Sequence, residues 1–171
     1  MGGAITAEQN TLLIVNQSYF YQNSATDGSA IFLAENFGNV KGQIVNSVFQ
    51  ENSGNLALIK TFFSDLKASY LKFYNNDMAI FGKESAFLDI DNIEIYDTDC
   101  GSNSLKGCLV DAIFQSLRIT NLTAVNISPN SEGASLYAKN TDSFEINGAQ
   151  MVNITGSRGA CIIGKNVSFA I

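Results

Sequence analysis

The sequence predicts an all-β fold, a parallel β-helix in which three short strands make up each coil. A three-part unit recurs along the chain, for example 26 positions apart at Ile5 and Ile31, as in repeat proteins whose units stack on their neighbours. No segment shows a convincing 3.6-residue apolar period, so helices are not expected. A β-sandwich also has many short strands, but it gives no reason for one unit to recur in register. We therefore expect one domain over residues 1–171, with about six and a half coils.

The first strand of each unit begins with a motif of small residues, Gly2-Gly3-Ala4-Ile5, which returns as Gly28-Ser29-Ala30-Ile31. Its inward column is expected to be Ile5, Ile31, Leu58, Ile80, Val110, Leu136 and Ile162. Because side chains alternate along a strand, the next residues should face solvent. An exposed apolar stripe marks a partner surface. The candidate partner-binding face is Phe32, Ile59, Phe81, Tyr137 and Ile163. The alternatives are loops folded over this face, or the opposite parity.

The second strand has an apolar-x-apolar pattern whose middle column is mostly charged and should point outward. That column is Ile14, Lys41, Lys67, Asp89, Arg118, Glu145 and Ala170. The charges alternate in sign except at Lys41 and Lys67. Each exposed ion pair is worth about 0–1 kcal/mol, so the column is expected to set register more than stability.

The third strand carries an apolar column followed, three residues later, by a polar one. The apolar column is Phe20, Phe49, Phe73, Ile95, Val125 and Val152. The polar column is Asn23, Asn52, Asn76, Thr98, Ser128 and Thr155. Amides and hydroxyls inside tight turns bond to backbone groups, so this column is a predicted turn ladder. The alternative is that turns simply favour asparagine.

Cysteines and glycosylation sequons bear on the cellular compartment. Cys100 and Cys108 flank a short loop, and a disulfide between them would close a small ring. Cys161 belongs to the next coil but one, nearly 10 Å from Cys108 by strand spacing, and is expected to be free. The alternative is that all three cysteines are reduced. Five Asn-x-Ser/Thr sequons are glycosylation candidates if the protein follows a eukaryotic secretory route: Asn16, Asn121, Asn126, Asn153 and Asn166.

The composition disfavours several functional classes. A net charge of −6 with 10 Lys+Arg disfavours nucleic acid as a partner. The absence of His removes the commonest general base and metal ligand. No apolar run approaches the roughly 18 residues of a membrane span. The segment from Asp97 to Asn103 begins like a calcium loop, but the closing acidic ligand is missing. We therefore expect no cofactor, no metal and no catalytic residue.

Paired motifs in residues 2–76 resemble those of a known family. Gly2-Gly3-Ala4-Ile5, Phe20-Tyr21-Gln22-Asn23, Phe49-Gln50-Glu51-Asn52 and Phe73-Tyr74-Asn75-Asn76 resemble the GGA(I/L/V) and FxxN repeats of chlamydial polymorphic outer-membrane proteins. The resemblance implies a right-handed single-stranded parallel β-helix of pectin-lyase-like fold, with a role in adhesion or surface architecture. Beyond Met78 only the period continues. Pectin-lyase-like enzymes carry catalytic acids on one sheet, but Asp111 and Arg118 lie outside any acidic cluster, so neither is assigned a catalytic role.

These features predict a structural or adhesive scaffold, extracellular or at the cell surface, rather than an enzyme. Neither end of the sequence shows a polar cap, so we expect head-to-tail stacking with copies of the chain or with other β-helix segments, in a longer solenoid or a filament. Other surface proteins or glycans are further expected partners. The alternative is a polysaccharide-active lyase or hydrolase, or a carbohydrate-binding domain, of the same fold.

Overall fold

The strands of this protein form parallel sheets. A computed structural model describes residues 3–26, 28–34, 40–54, 56–83, 87–100, 107–113, 116–129, 134–156 and 161–170. The strands in these residues are β1 (Ile5–Glu8), β2 (Leu12–Asn16), β3 (Tyr19–Tyr21), β4 (Ser24–Ala25), β5 (Ile31–Ala34), β6 (Val40–Val45), β7 (Val48–Gln50), β8 (Ser53–Gly54), β9 (Ile59–Phe62), β10 (Ser64–Tyr74), β11 (Ile80–Lys83), β12 (Phe87–Asp99), β13 (Gly107–Ile113), β14 (Ser116–Ser128), β15 (Ala134–Lys139), β16 (Phe144–Ile154), β17 (Ile162–Lys165) and β18 (Phe169–Ala170).

The sheet order shows a β-solenoid. The first sheet runs β1-β5-β9-β11-β13-β15-β17, and the second runs β2-β6-β10-β12-β14-β16-β18, with β3 and β7 stacked beside it onto β10. Each strand therefore pairs with its counterpart in the next coil, which confirms the predicted parallel solenoid. The solenoid has about five turns, slightly fewer than the six and a half coils expected. Within the described residues, the first and last strands of each sheet pair with one neighbour only, so the end coils are stacked on one side.

The first sheet corrects one position of the predicted inward column. Ile31 pairs with Ile59, and Ile59 pairs with Ile80, so Ile59 takes the inward place expected for Leu58. Both residues are buried, at 1% and 0% exposure. In neighbouring coils of this sheet a buried residue also precedes the inward one, as Ala30 and Ala79 show. Two consecutive buried residues hide the alternation, and this is why the parity of the third coil was wrong.

The second sheet corrects the charged column. Gly42 lies opposite Leu66 and Gln43 opposite Lys67, whereas Lys41 lies opposite Asp65. The expected Lys41–Lys67 contact is therefore wrong. The inward residue of this coil is a glycine because a Cβ at Gly42 would lie 2.4 Å from Leu33 Cδ1. An apolar-x-apolar pattern does not detect an inward glycine whose missing side chain leaves room for the side chain of a residue in another strand.

The same sheet confirms the alternation of charge higher in the stack. Lys67, Asp89, Arg118 and Glu145 stand in one column of the register. Arg118 donates two hydrogen bonds to Asp89, from Nε to Oδ1 at 2.9 Å and from Nη2 to Oδ2 at 2.6 Å. This fork gives the pair more geometric definition than a single surface contact.

The third strands stack aromatic rings inside the solenoid. The ring centroids of Phe20 and Phe49 are 4.7 Å apart, and those of Phe49 and Phe73 are 4.8 Å apart, with nearly parallel planes. Ile95 continues the column as predicted.

The upper end of this column differs from the prediction. Ala124 pairs with Ile95 and Met151 pairs with Ala124, so Val125 and Val152 are not in the inward column. Val152 is 44% exposed. Hydrophobicity favoured the valines, but the inward place falls to a smaller residue, Ala124.

Asparagine side chains form a buried ladder through the first three coils. Asn52 Oδ1 accepts from the backbone N of Asn23 at 3.0 Å and from its Nδ2 at 2.8 Å. Asn76 Oδ1 accepts from the backbone N of Asn52 at 2.9 Å. The Nδ2 groups of Asn52 and Asn76 donate to the carbonyls of Phe20 and Phe49. The predicted turn ladder is confirmed for these asparagines.

Above Asn76 the ladder ends. Thr98 is buried in the next coil, but its Oγ1 has no hydrogen-bond partner among the described residues. Thr98 pairs with Ile127, and Ile127 pairs with Ile154, so apolar side chains replace amides. Ser128 lies opposite Asp99, and Thr155 follows Ile154 and is exposed. The predicted ladder was therefore wrong for Ser128 and Thr155, because each lies one residue beyond the inward position.

Phe49→Ala is expected to lower the free energy of unfolding by about 3–5 kcal/mol, because it leaves a cavity between two stacked rings. Urea unfolding followed by circular dichroism measures the change. Leu12→Ala, at a side chain 63% exposed, is the control and should change stability by less than about 0.5 kcal/mol. A loss below about 1 kcal/mol for Phe49→Ala would contradict the stacked interior column.

Asn52→Ala and Thr98→Val should have opposite effects. Asn52→Ala leaves buried groups of the ladder without partners and should lower the free energy of unfolding by about 2–4 kcal/mol. Thr98→Val removes a buried hydroxyl that has no partner and should raise it by about 1 kcal/mol. Equal losses in the two variants, measured by thermal and urea unfolding, would show that the ladder continues through Thr98.

Candidate functional site: a tyrosine face and a corner groove

The predicted partner-binding face on the first sheet is not an exposed stripe. Ile59 points inward, and Tyr137 is 4% exposed. Phe32 and Ile163 are half-buried, and the side chain of Phe81 lies outside the described residues. Lys60 replaces Ile59 in the outward column, with its Nζ 5.4 Å from the centroid of the Phe32 ring. The prediction was wrong for Ile59 and Tyr137, since one is inward by register and the other is covered.

A group of exposed and half-buried aromatic residues lies instead on the third side of the solenoid and at its corner. We call Tyr19, Tyr21, Tyr70, Tyr74 and Tyr96 the tyrosine face; they are five of the six tyrosines in the chain. Tyr19 and Tyr21 flank the inward Phe20, and Tyr74 follows the inward Phe73, so alternation points these rings outward. Tyr19 and Tyr70 are each 59% exposed. The sequence signal was the tyrosine that follows Phe20 and Phe73 in two of the three FxxN motifs.

Ring stacking and hydrogen bonds order the tyrosine face. Tyr19 and Tyr21 have centroids 5.8 Å apart, and Tyr74 and Tyr96 have centroids 5.4 Å apart, with nearly parallel planes. The Tyr19 hydroxyl donates to Gln50 Oε1 at 2.7 Å. The face therefore offers aromatic surface with little rotamer entropy left to lose on binding.

Two carboxylates, those of Glu51 and Glu94, shape the electrostatics of this side. Hydrogen bonds from Gln50 and Gln22 lower the pKa of Glu51. Partial desolvation, followed by the nearby Glu51 carboxylate, raises the pKa of Tyr21. A hydrogen bond and charge from Glu94 raise the pKa of Lys72, whose Nζ lies 3.1 Å from Glu94 Oε2. Because its pKa is raised, Tyr21 keeps its hydroxyl proton, and Lys72 is paired with Glu94.

The corner between the second and third strands has left-handed backbone in successive coils. Its residues with positive φ are Gln17, Asn46, Tyr70, Asn92, Asn121 and Gly148. Asparagine and glycine tolerate this conformation, but a bulky ring does not. Tyr70 nevertheless has a φ of 54° and an exposed ring. Core packing does not account for a strained aromatic residue that faces solvent, and strain of this kind is found at functional sites.

An open groove of about 640 Å³ follows the same corner. We call it the corner groove, and its lining residues are Tyr70, Leu71, Lys72, Asn92, Glu94, Asn121, Leu122, Thr123, Gly148, Ala149 and Gln150. Asn121 Nδ2 donates to Asn92 Oδ1 at 3.3 Å along one wall. The groove therefore combines an aromatic ring, side-chain amides, a hydroxyl and one ion pair beside the tyrosine face.

The five sequon asparagines, Asn16, Asn121, Asn126, Asn153 and Asn166, are all exposed. All except Asn16 have positive φ and sit at corners. Their side chains form surface ladders, in which Asn126 Nδ2 donates to Asp97 Oδ1 at 2.7 Å and Asn153 Nδ2 donates to Asn126 Oδ1 at 2.8 Å. Their accessibility fits attachment of a glycan, and glycosylation itself stays a prediction.

The predicted disulfide is confirmed. The sulfurs of Cys100 and Cys108 are 2.11 Å apart, and their Cα atoms are 5.7 Å apart. Cys161 is a free, exposed cysteine, as expected.

The structure identifies no metal centre in the part of the chain that it describes: no group of three or more Cys, Asp or Glu side chains is placed to hold an ion. Asp97, the first residue of the calcium-like segment, accepts from Asn126; residues 101–106 of that region lie outside the described part. Among the described residues there is also no helix of the length and apolarity needed to cross a membrane.

Comparison with protein-family models, with curated proteins and with solved structures gives no match for this chain. The tyrosine face and the corner groove are therefore the features of the molecule that bear on its function.

Tyr70→Asn should raise the free energy of unfolding by about 0.5–1 kcal/mol, because asparagine adopts the left-handed conformation more easily than tyrosine. Tyr74→Asn is the matched control. It makes the same change on the same face and in the same strand, β10, but at a residue without positive φ, and should lower stability because asparagine is disfavoured in strands. Thermal unfolding compares the two, and a destabilising Tyr70→Asn would show that ring contacts outweigh the strain.

Proposed function

We propose that this protein is a structural or adhesive scaffold at the cell surface or outside the cell, and that the tyrosine face meets its partner. The observation that carries the proposal is the gathering of five tyrosines on one side of a regularly stacked solenoid. Tyrosine is enriched at protein interfaces because it provides a large apolar ring with a polar end.

The fold supports this role by holding the face rigid. Tyr19, Tyr21 and Tyr74 are sequence neighbours of Phe20 and Phe73, whose rings are buried and stacked on Phe49. A surface ordered before binding loses less conformational entropy when a partner arrives. An adhesive contact on this side would therefore lose less conformational entropy, because the interior column directly beneath it already orders the surface.

The disulfide supports an extracellular location. Bonds of this kind persist in oxidising compartments and are rare in a reducing cytosol. Five exposed sequons are compatible with the same location, in an organism with a secretory glycosylation route.

The second candidate function is action on a polysaccharide at the second sheet. A shallow groove of about 400 Å³ there contains Asp89, Asp91, Lys67 and Arg118. Two carboxylates beside basic groups favour this candidate, because glycoside cleavage uses a pair of carboxyl groups. The Arg118 fork engages both oxygens of Asp89, which fits an ion-pair role better than acid–base chemistry.

Adhesion of protein-coated beads tests the proposed function. The surfaces offered are the same protein, a neutral polysaccharide, an acidic polysaccharide and a layer of cultured cells. We expect adhesion to at least one surface, and a loss of about tenfold in the Tyr19→Thr/Tyr21→Thr variant, since buried aromatic contacts dominate most interfaces.

The control is Lys67→Thr/Glu145→Thr, two substitutions at exposed positions of the second sheet, which should adhere as the parent does. Adhesion to none of the surfaces, or equal loss in both variants, would overturn the proposal. Release of reducing ends or unsaturated products from the acidic polysaccharide would favour the second candidate.

A further inference from the structure

The corner groove runs along the solenoid axis across four coils. Its corner positions are Tyr70, Asn92, Asn121 and Gly148, one in each coil. Because neighbouring parallel strands are about 4.8 Å apart, four coils give a groove about 14 Å long. A ligand that follows the groove meets one rung of side chains at each coil, so a periodic chain suits it better than a compact molecule.

Both walls offer hydrogen-bond donors and acceptors at the coil repeat. One wall has the amides of Asn92 and Asn121. The opposite wall is one register column of Lys72, Glu94, Thr123 and Gln150. An amide contains both donor and acceptor atoms, and so does a hydroxyl group. The groove is therefore complementary to a ligand rich in hydroxyl groups.

The charges in the groove are balanced. Lys72 and Glu94 are the charged residues of its lining, and they pair with each other at 3.1 Å. An anionic chain would need cationic side chains without such a carboxylate partner. Balanced charge favours a neutral ligand.

Tyr70 and Gly148 shape the two ends of the groove. The Tyr70 ring is an exposed apolar surface on which the C–H face of a sugar ring would rest. At the other end Gly148 replaces the asparagine of the two coils below, and a Cβ there would lie 3.0 Å from Asn121 Oδ1. Its missing side chain keeps this end of the groove open.

The strands beneath the groove argue against an extended peptide. Peptides commonly bind sheets by pairing with an exposed edge. Strands β10, β12 and β14 pair on both sides and present no such edge. The residue rise of an extended peptide, about 3.4 Å, also differs from the coil spacing of about 4.8 Å.

We infer that the corner groove binds a neutral polysaccharide chain laid parallel to the solenoid axis, with Tyr70 against a sugar ring and Asn121 bonded to its hydroxyl groups. The inference rests on the proposed adhesive function and names the partner class for this part of the surface.

Affinity electrophoresis in gels containing a soluble mixed-linkage β-glucan, xyloglucan or polygalacturonate tests the inference, with titration calorimetry for any polymer that retards the protein. The protein is made in a bacterial periplasm, which is oxidising, so that Asn121 carries no attached glycan. We expect retardation by a neutral polymer. Tyr70→Asn, Asn121→Asp and Gly148→Asn should each weaken it by about 3–10-fold, the equivalent of one or two lost contacts.

Asn153→Asp is the matched control, because Asn153 is also exposed, has positive φ and belongs to a surface amide ladder at another corner. It should bind as the parent does. Tighter binding of polygalacturonate, no binding of either neutral polymer, or equal binding by all variants would overturn the inference. Bead adhesion that depends on Tyr19 and Tyr21 without any neutral glycan binding would leave the proposed function standing and reject this inference alone.

Discussion

The hydrogen-bond spacing between parallel strands determines what each residue of this protein contacts. Neighbouring coils are separated by about 4.7–4.9 Å, and the centroids of Phe20, Phe49 and Phe73 repeat at 4.7 and 4.8 Å. At this separation two flat rings stack well, and two amides reach each other's donors and acceptors. A residue whose chemistry suits a copy of itself therefore stabilises every coil in which it recurs, which is why phenylalanine and asparagine return together in the first three coils.

The same constraint explains the change at the fourth coil. Ile95 follows Phe73 and Thr98 follows Asn76, so the interior stack of phenylalanines and the buried asparagine ladder stop in the same coil. Ala124 and Met151 continue this interior column above Ile95, and they contribute burial without directional bonds. The Cys100–Cys108 disulfide lies two residues beyond Thr98. A covalent link thus constrains the chain at the point where the hydrogen-bonded ladder ends.

The sequence was sufficient to predict the solenoid, the disulfide and the stacked columns of the first coils, because those features follow from spacing and alternation. It was insufficient wherever a position inside the coil is taken by an unexpected residue. Gly42 and Ala124 are inward although more hydrophobic candidates stand nearby, and Ile59 shares its burial with Leu58. The alternation that predicted inward places for Phe20 and Phe73 could also have predicted that the neighbouring tyrosines point outward. The corner groove could not be predicted in this way, since it depends on backbone conformation at Tyr70 and Gly148.

Stacking also determines how the surface differs from side to side. An outward column repeats at the strand spacing, so one residue type placed in several coils becomes a continuous strip. The second sheet has alternating charges from Lys67 to Glu145, whereas the third side has tyrosines, neutral amides and the paired Lys72 and Glu94. On the first sheet, Asp111 and Tyr137 are covered. Because these sides are chemically distinct and the interior columns hold them rigidly, a partner that recognises aromatic and amide groups would meet the molecule in one orientation only.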